Sequence, residues 1–461
     1  MWRVLLSKAH DLTEGPIIST IFKLSWPLVA ANLFQSLYNI VDTFWLGKLG
    51  ALAINAPTLS WPVIFLVISF AGGFGMAGTS FVAQHHGAGE EDMVGEAAGQ
   101  TLFIMLVLSA GLGILGFFLT DPIVHWMGAS KDLIPLASIF MKTIFISVPF
   151  TFGFMIYASL LRGYGDTVTP MKLSLYSVVV NMALDPVLIF GLVGFPKLGV
   201  FGAALATLIS RGIFTIYAFY LLLSGKNGLK IVKKNLIPKW GRLSHIIRIG
   251  LPLGLSQSGQ ALGFVVMTAI ITSFGNYTLA AFGVGNRIIS LATMFSMGVT
   301  AASAAIIGQN LGAHKISRAE KSLKETLLLN TLIMIGISSV MIIFRYQLMK
   351  IFITNSNVVV QGAHLMIIIA FFMPFFSVLQ AFMAAFNGSG HTMSSMWLMI
   401  SRLWFMRIPL IYLMGWTFKM GSDGIWWAMG LSNAGAALMA FLLYLPGSWK
   451  TPKAMFKKTQ F

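Results

Sequence analysis

Asp42 and Asp185 each interrupt an apolar stretch of about 20 or more residues, the length that crosses a bilayer as a helix. The other twelve of the 14 acidic residues fall in tails, loops or the ends of such stretches. An ionised carboxylate in hydrocarbon costs several kcal/mol, so acids placed there normally face a cavity and belong to ion or proton pathways. The alternative for either residue is an interfacial helix cap. Their similar depth argues against two such accidents, since at 1.5 Å per residue both lie roughly 26 to 30 Å above the inner ends of their segments.

Other polar residues gather around them. Gln35, Tyr38, Asn39 and Asp42 recur at helical spacing as one polar stripe, and Asn181 and Asp185, four apart, share a face. Thr207 falls within a few ångströms of the same level on its own segment. Two acids, an amide and a hydroxyl facing one enclosed space can work in two ways. Carboxylates held close in a dehydrated space share a proton rather than carry two charges, which makes a reversible proton carrier. The same oxygens suit Na⁺, so Asp42, Asn181, Asp185 and Thr207 also form a candidate sodium site, and the pattern leaves both open. Plain helix-to-helix bonding by Asn181 and Thr207 is the structural alternative. Pro27 lies below Asp42 on the same segment and frees a backbone carbonyl. It is a candidate hinge for bending when Asp42 changes charge; a static kink is the alternative, because Pro252 repeats it where no acid exists.

The elements that must position these residues are membrane helices. The 461 residues are 57% apolar and 10% charged, with a mean hydropathy of +0.82. Soluble domains need roughly a quarter of their residues charged, so soluble enzymes and nucleic-acid modules are excluded. Twelve apolar stretches can be counted, which predicts an all-α membrane protein of twelve transmembrane helices. A net charge of +17 reads as loop topology rather than polyanion binding. The absence of Cys excludes disulfides, thiolate metal sites and a Cys nucleophile. The start, MWRVLLSKAHDLTEGP, lacks a small-residue cleavage signal, so a removable signal peptide is not expected.

The twelve stretches come as two copies of six. A shift of 225 residues superposes Pro27 on Pro252, Gln35 on Gln260, Gly73 on Gly298, Gln84 on Gln309, Gly87 on Gly312 and Gly163 on Gly388. Chance matching would pair Leu and Ala, whereas paired Pro, Gly and Gln at one offset indicate duplication. The expected organisation is an N-terminal lobe over 1–224 with the ion site, a basic linker over 225–243 and a C-terminal lobe over 244–461. Six segments per copy make the halves parallel repeats about an axis along the membrane normal, with a cleft between them. The positions 225 after Tyr38, Asn39 and Asp42 are Gly263, Phe264 and Met267, so the acid site is confined to the first copy. Lys and Arg number 18 on the terminal side of the segments and six on the other, which places both termini in the cytoplasm. His85 and His86 are expected in a solvated loop, HHGAGEEDMVGE, and Arg211, Arg402 and Arg407 fall inside segments with no evident partners.

In the stretches WPLVAANLFQSLYNIVDTFWLGKLG, LLRGYGDTVTP and NMALDPVLIFG, and in its duplicated six-helix plan, the chain resembles the MATE family of multidrug and toxin extrusion transporters. The likeness covers nearly the whole chain and is greatest to the branch of the DinF and archaeal members. It implies an ion site at Asp42, Asp185, Asn181 and Thr207, with Tyr38 nearby, Gln35 and Asn39 supporting the substrate space, and Pro27 as the bending point. In the NorM branch, acids in segments seven and ten matter; here segment seven carries Gln257 and Gln260 instead. The resemblance implies a non-enzymatic antiporter in the cell membrane that needs no cofactor beyond H⁺ or Na⁺. It would exchange that ion for bulky, often cationic, amphiphiles by alternating access, and act as a monomer. Lipid-linked sugar flippases of the same superfamily are one rival and would make the intramembrane Arg residues central; an ion channel is another.

Overall fold

The structure, a computed structural model, describes residues 11–456. The charged start of the chain and Lys458, which enter the basic-residue comparison, lie outside the described residues. Among those residues there is no β-strand, and twelve helices are long and apolar enough to cross a membrane. This is a multi-pass membrane protein.

The first six helices are α1 (Ile17–Leu49), α2 (Ala51–Gly87), α3 (Glu91–Trp126), α4 (Leu133–Tyr164), α5 (Val168–Phe190) and α6 (Val200–Ser224). The second six are α7 (Trp240–Thr272), α8 (Asn276–Gly312), α9 (Ile316–Ile343), α10 (Ser356–Ser389), α11 (Thr392–Thr417) and α12 (Gly421–Tyr444). In lipid every backbone N–H and C=O must be bonded within the segment, so apolar stretches of this length become helices. Paired turns end paired helices. Gly165 closes α4 at φ 100° and Gly390, 225 residues later, closes α10 at φ 84°, a left-handed conformation that glycine reaches without a Cβ penalty.

Helix α11 is not uniform. It is α-helical over Thr392–Ile400, takes π-type turns over Ser401–Arg407 and again over Tyr412–Thr417, and holds a short α turn, Ile408–Ile411, between them. Pro409, which has no N–H to give, lies between the two widened stretches and accounts for the break in regular bonding.

The halves meet through small residues. A Cβ on Gly73 would stand 2.0 Å from the backbone N of Gly254, one on Gly87 1.9 Å from the Gln309 carbonyl, and one on Gly312 1.9 Å from the Gln84 carbonyl. Where lipid is as apolar as Leu, such close backbone approach is what drives helices together.

One sequence expectation needs correction. The stretch HHGAGEEDMVGE is not a loop, because α2 runs through both histidines to Gly87 and α3 begins at Glu91. His85 is fully buried: its Nδ1 is 2.9 Å from Glu90 Oε2, and its Nε2 accepts from the Phe456 backbone N at 3.1 Å. Hydropathy marks the hydrocarbon-embedded part of a helix, and these helices continue past it. The polar stretch after α6 is held against α3. Gln100 of α3 donates to the carbonyls of Asn235 and Ile237, both at 2.7 Å, and Glu96 holds Lys239 and Arg242.

Candidate functional site

The α1 stripe turns its polar face to α5 and α6. The Tyr38 hydroxyl is 2.7 Å from Thr207 Oγ1, a bond that ties α1 to α6. On α5, Asn181 and Asp185 are buried on one face, as their four-residue spacing requires. With its amide oriented to satisfy both neighbours, Asn181 donates to Asp185 Oδ2 at 3.2 Å and accepts from the Thr207 backbone N at 3.2 Å. Asp42 lies close enough to act on Asp185 as a like charge. Tyr38, Asn181, Asp185 and Thr207 are therefore one connected cluster, with Asp42 beside it.

The cluster is not fully satisfied. Asp42 Oδ1 and Asp185 Oδ1 are both buried without a hydrogen-bond partner among the described residues. Buried polar atoms are paired in the great majority of cases, so these two orphaned carboxylate oxygens set the cluster apart from ordinary helix-to-helix bonding.

Gln35 joins from the N-terminal end of the α1 stripe. It accepts from Arg211 Nη2 at 2.9 Å, and the Arg211 guanidinium lies 6.0 Å from the Tyr38 ring centre. Asn39 stands apart, since it is exposed and its side chain meets only Gln35 Nε2 at 3.4 Å. Pro27 is buried where α1 passes α8: a Cβ on Gly298 would stand 2.7 Å from Val29 Cγ2 and 3.3 Å from the Ser25 carbonyl. The helix continues unbroken through Pro27. A small cavity of about 20 Å³, room for about one water molecule, lies beside the cluster, lined by Gln35, Tyr38, Asn181, Thr207, Arg211 and Phe214 among others.

Sequence reasoning left Arg211 unpartnered, although it follows Thr207 by four residues on one helix face and so points to the same space. Arg402 and Arg407 find partners too: Arg402 donates to Asn433 and Gln260, and Arg407 to Ser432, Asn433 and the Met429 carbonyl.

The terminal face is sealed by reciprocal bonds. Gln84 Nε2 donates to the Gly388 carbonyl at 2.7 Å, and Gln309 Nε2, its partner under the 225-residue shift, donates to the Gly163 carbonyl at 2.9 Å. Ser80 Oγ adds a bond to the Asn387 carbonyl at 2.6 Å. The described segments before α1 and after α12 close over this face, with Leu12 bonded to Gln309 and Asn310, and Ala454 and Phe456 to Gln84 and His85. The side-chain hydrogen bonds between the halves, as far as the described residues carry them, involve only this face and the Met76–Gln257 contact above it.

Comparison with known proteins adds to this geometry. The MatE family model matches residues 27–187 and again 252–413, two blocks offset by 225 at their starts. The probable multidrug resistance protein YpnP of Bacillus subtilis is 28% identical over 454 residues, spanning 98% of this chain and 100% of that protein. The FAD transporter of Shewanella oneidensis is 27% identical, over 92% of this chain and 93% of its own. A crystal structure of MATE in the bent conformation has the same fold, with a TM-score of 0.89 at 24% identity over 96% of this chain and 98% of that one.

Proposed function

The chain belongs to the MatE family of multidrug efflux transporters, and from that premise we propose that it exports bulky amphiphiles in exchange for a proton. The observation that carries the reading is the pair of unpartnered carboxylate oxygens of Asp42 and Asp185 beside the Tyr38–Thr207–Asn181 network. A proton placed there turns one carboxylate into a donor and removes the repulsion between the two. Sodium is the alternative ion; it would need the Asn181 oxygen turned inward, and in its satisfied orientation that oxygen is held by the Thr207 N–H.

Residues 1–224 and 244–461 act in this reading as two lobes joined by 225–243. The basic-residue bias assigns the sealed face and both termini to the cytoplasm, which makes the arrangement outward-facing. Protonation lets α1 relax towards α5, bend at Pro27 and narrow the space that holds substrate, and alternating access follows from rocking the lobes apart at the sealed face. The protein works as a monomer in the cell membrane.

The test is flux in proteoliposomes under imposed pH or Na⁺ gradients, with a panel of amphiphiles that includes FAD. Export driven by an inward proton gradient, and lost in Asp42→Asn and Asp185→Asn, is the expected result. Drive by Na⁺ at fixed pH would reassign the ion, and full coupled export in both variants would remove the site.

A further inference from the structure

We propose that Arg402 and Arg407 form, with Asn433 and Gln260, a binding site for the oxyanion of an amphiphile, a carboxylate or phosphate carried on an apolar body. Arg402 Nη1 and Arg407 Nη2 donate to the same oxygen, Asn433 Oδ1, at 3.2 and 3.0 Å, so two guanidinium groups share one neutral acceptor. Their other partners are neutral as well: Gln260 Oε1 at 3.4 Å, Ser432 Oγ at 2.9 Å and the Met429 carbonyl at 3.3 Å. Among the described residues no carboxylate pairs with either arginine. Glu320 is held by Lys450, Asp423 faces His364, and Glu325 lies on α9 near the terminal face.

Two like charges midway along a membrane helix, with no counter-charge, are costly unless an anion joins them. Dipoles such as Asn433 orient the guanidiniums without neutralising them. Arg402 Nε is buried and has no hydrogen-bond partner among the described residues, an unmet N–H that an oxyanion reaching the fork would satisfy. Planar forks of this kind match carboxylate and phosphate oxygens.

The backbone assembles the pair. In an α-helix residues five apart point about 140° away from each other. The π-type turns over Ser401–Arg407 bond i to i+5 and bring Arg402 and Arg407 to one side, where both reach Asn433 on α12. Arg402, Arg407, Gln257 and Gln260 are all partly exposed, and Gln257 lies 4.0 Å from Met76 of α2, at the boundary between the halves.

This goes beyond coupled export and does not depend on it, because the site lies in the other half of the molecule and is tested by binding alone. Purified full-length protein in detergent is titrated with pyrenebutyrate and with pyrenebutanol, fluorescent probes that differ in the carboxylate. The wild type should bind the acid about tenfold or more tightly than the alcohol, as a charge-assisted pair implies. Arg402→Gln with Arg407→Gln should abolish that preference, and Arg402→Lys with Arg407→Lys should keep part of it. Asp42→Asn should leave it intact, so the failure of the ion site and the failure of this one are distinguishable. Pyrene-labelled phosphatidylglycerol against phosphatidylcholine forms a second arm. Preference for the anionic lipid there identifies a headgroup as a source, and its absence beside strong pyrenebutyrate binding identifies free amphiphilic anions. Equal wild-type affinity for acid and alcohol overturns the proposal without any variant, and so does a preference that survives the double Gln substitution.

Discussion

Gly87→Ala and Gly312→Ala should open the sealed face. The new Cβ would stand 1.9 Å from a carbonyl oxygen of the facing helix in each case, and that oxygen belongs to a backbone that cannot rotate away. Ordinary contact begins near 3.4 Å, so the helices must part by about 1.5 Å. Gln84 and Gln309 make their bonds at 2.7 and 2.9 Å beside these glycines, and such a shift carries both out of range. Leaving one buried donor unpaired costs about 1–3 kcal/mol, whereas in an open face water satisfies it. Each substitution should therefore favour the open arrangement by about 1–3 kcal/mol, roughly 5- to 150-fold in population. The chain has no cysteine, so Ser80→Cys reports alone. Ser80 is buried at the seam, and a membrane-permeant maleimide should label Ser80→Cys slowly by itself and many-fold faster with either alanine. Gly336→Ala is the control, because nothing lies within 4 Å of its Cβ position. Labelling of the Gly87 and Gly312 variants at the rate of that control would refute the reasoning.

Asp42→Asn and Asp185→Asn should each lower coupled export by at least about tenfold with little change in melting temperature, since the neutral isostere leaves no cavity; drug-resistance assays at matched expression check this. Substrate affinity in detergent should fall with falling pH in the wild type and stay nearly flat in Asp42→Asn, and identical curves would exclude competition between proton and substrate. Tyr38→Phe deletes a 2.7 Å bond but leaves Thr207 bonded to the Ala203 carbonyl, so it should cost about 1 kcal/mol in thermal unfolding while weakening coupling more than folding. His391, in the turn between α10 and α11, is pushed down from 6.5 to about 4 by burial and by neighbouring Lys453. Because its folded value is depressed, the unfolded chain alone takes up a proton as pH falls from about 6.5 towards about 4, so the wild type should lose melting temperature across that window more steeply than His391→Asn does.

The elements and the duplication were legible because lipid punishes polarity. A carboxylate in an apolar run stands out at one position, as Asp42 and Asp185 did, and a repeat shows wherever glycine and glutamine are irreplaceable. Helix ends were harder, since transfer energy ends where the hydrocarbon ends while the backbone goes on winding; that is why His85 and His86 read as loop. The partners of Arg402 and Arg407 come from helices 142 and fewer residues away along the chain and depend on a π-type widening that no periodicity announces. The closure of the terminal face by Leu12, Ala454 and Phe456 was equally hidden, because those bonds use backbone groups, which every residue carries.

What the two halves have kept and what they have changed divide along mechanical and chemical lines. Gln84 and Gln309, Gly87 and Gly312, and Gly163 and Gly388 are identical pairs, and together they make the seam. Thr207 and Ser432 also correspond, as do Gln35 and Gln260, but the charges around them are opposed: Asn181 and Asp185 attend Thr207, while Arg407 attends Ser432. Arg211 on Gln35 and Arg402 on Gln260 set a cation beside each glutamine, although they come from positions the shift does not pair. In the seam each glutamine of one half holds a carbonyl of the other, so neither half releases by itself and separation breaks both bonds at once. Shared rupture of this kind favours two discrete arrangements over a graded one. In the proposed exchange, an event confined to one half, such as a proton on Asp185, would then bias the whole molecule without any counterpart in the other, leaving the second half free to hold a group of opposite charge.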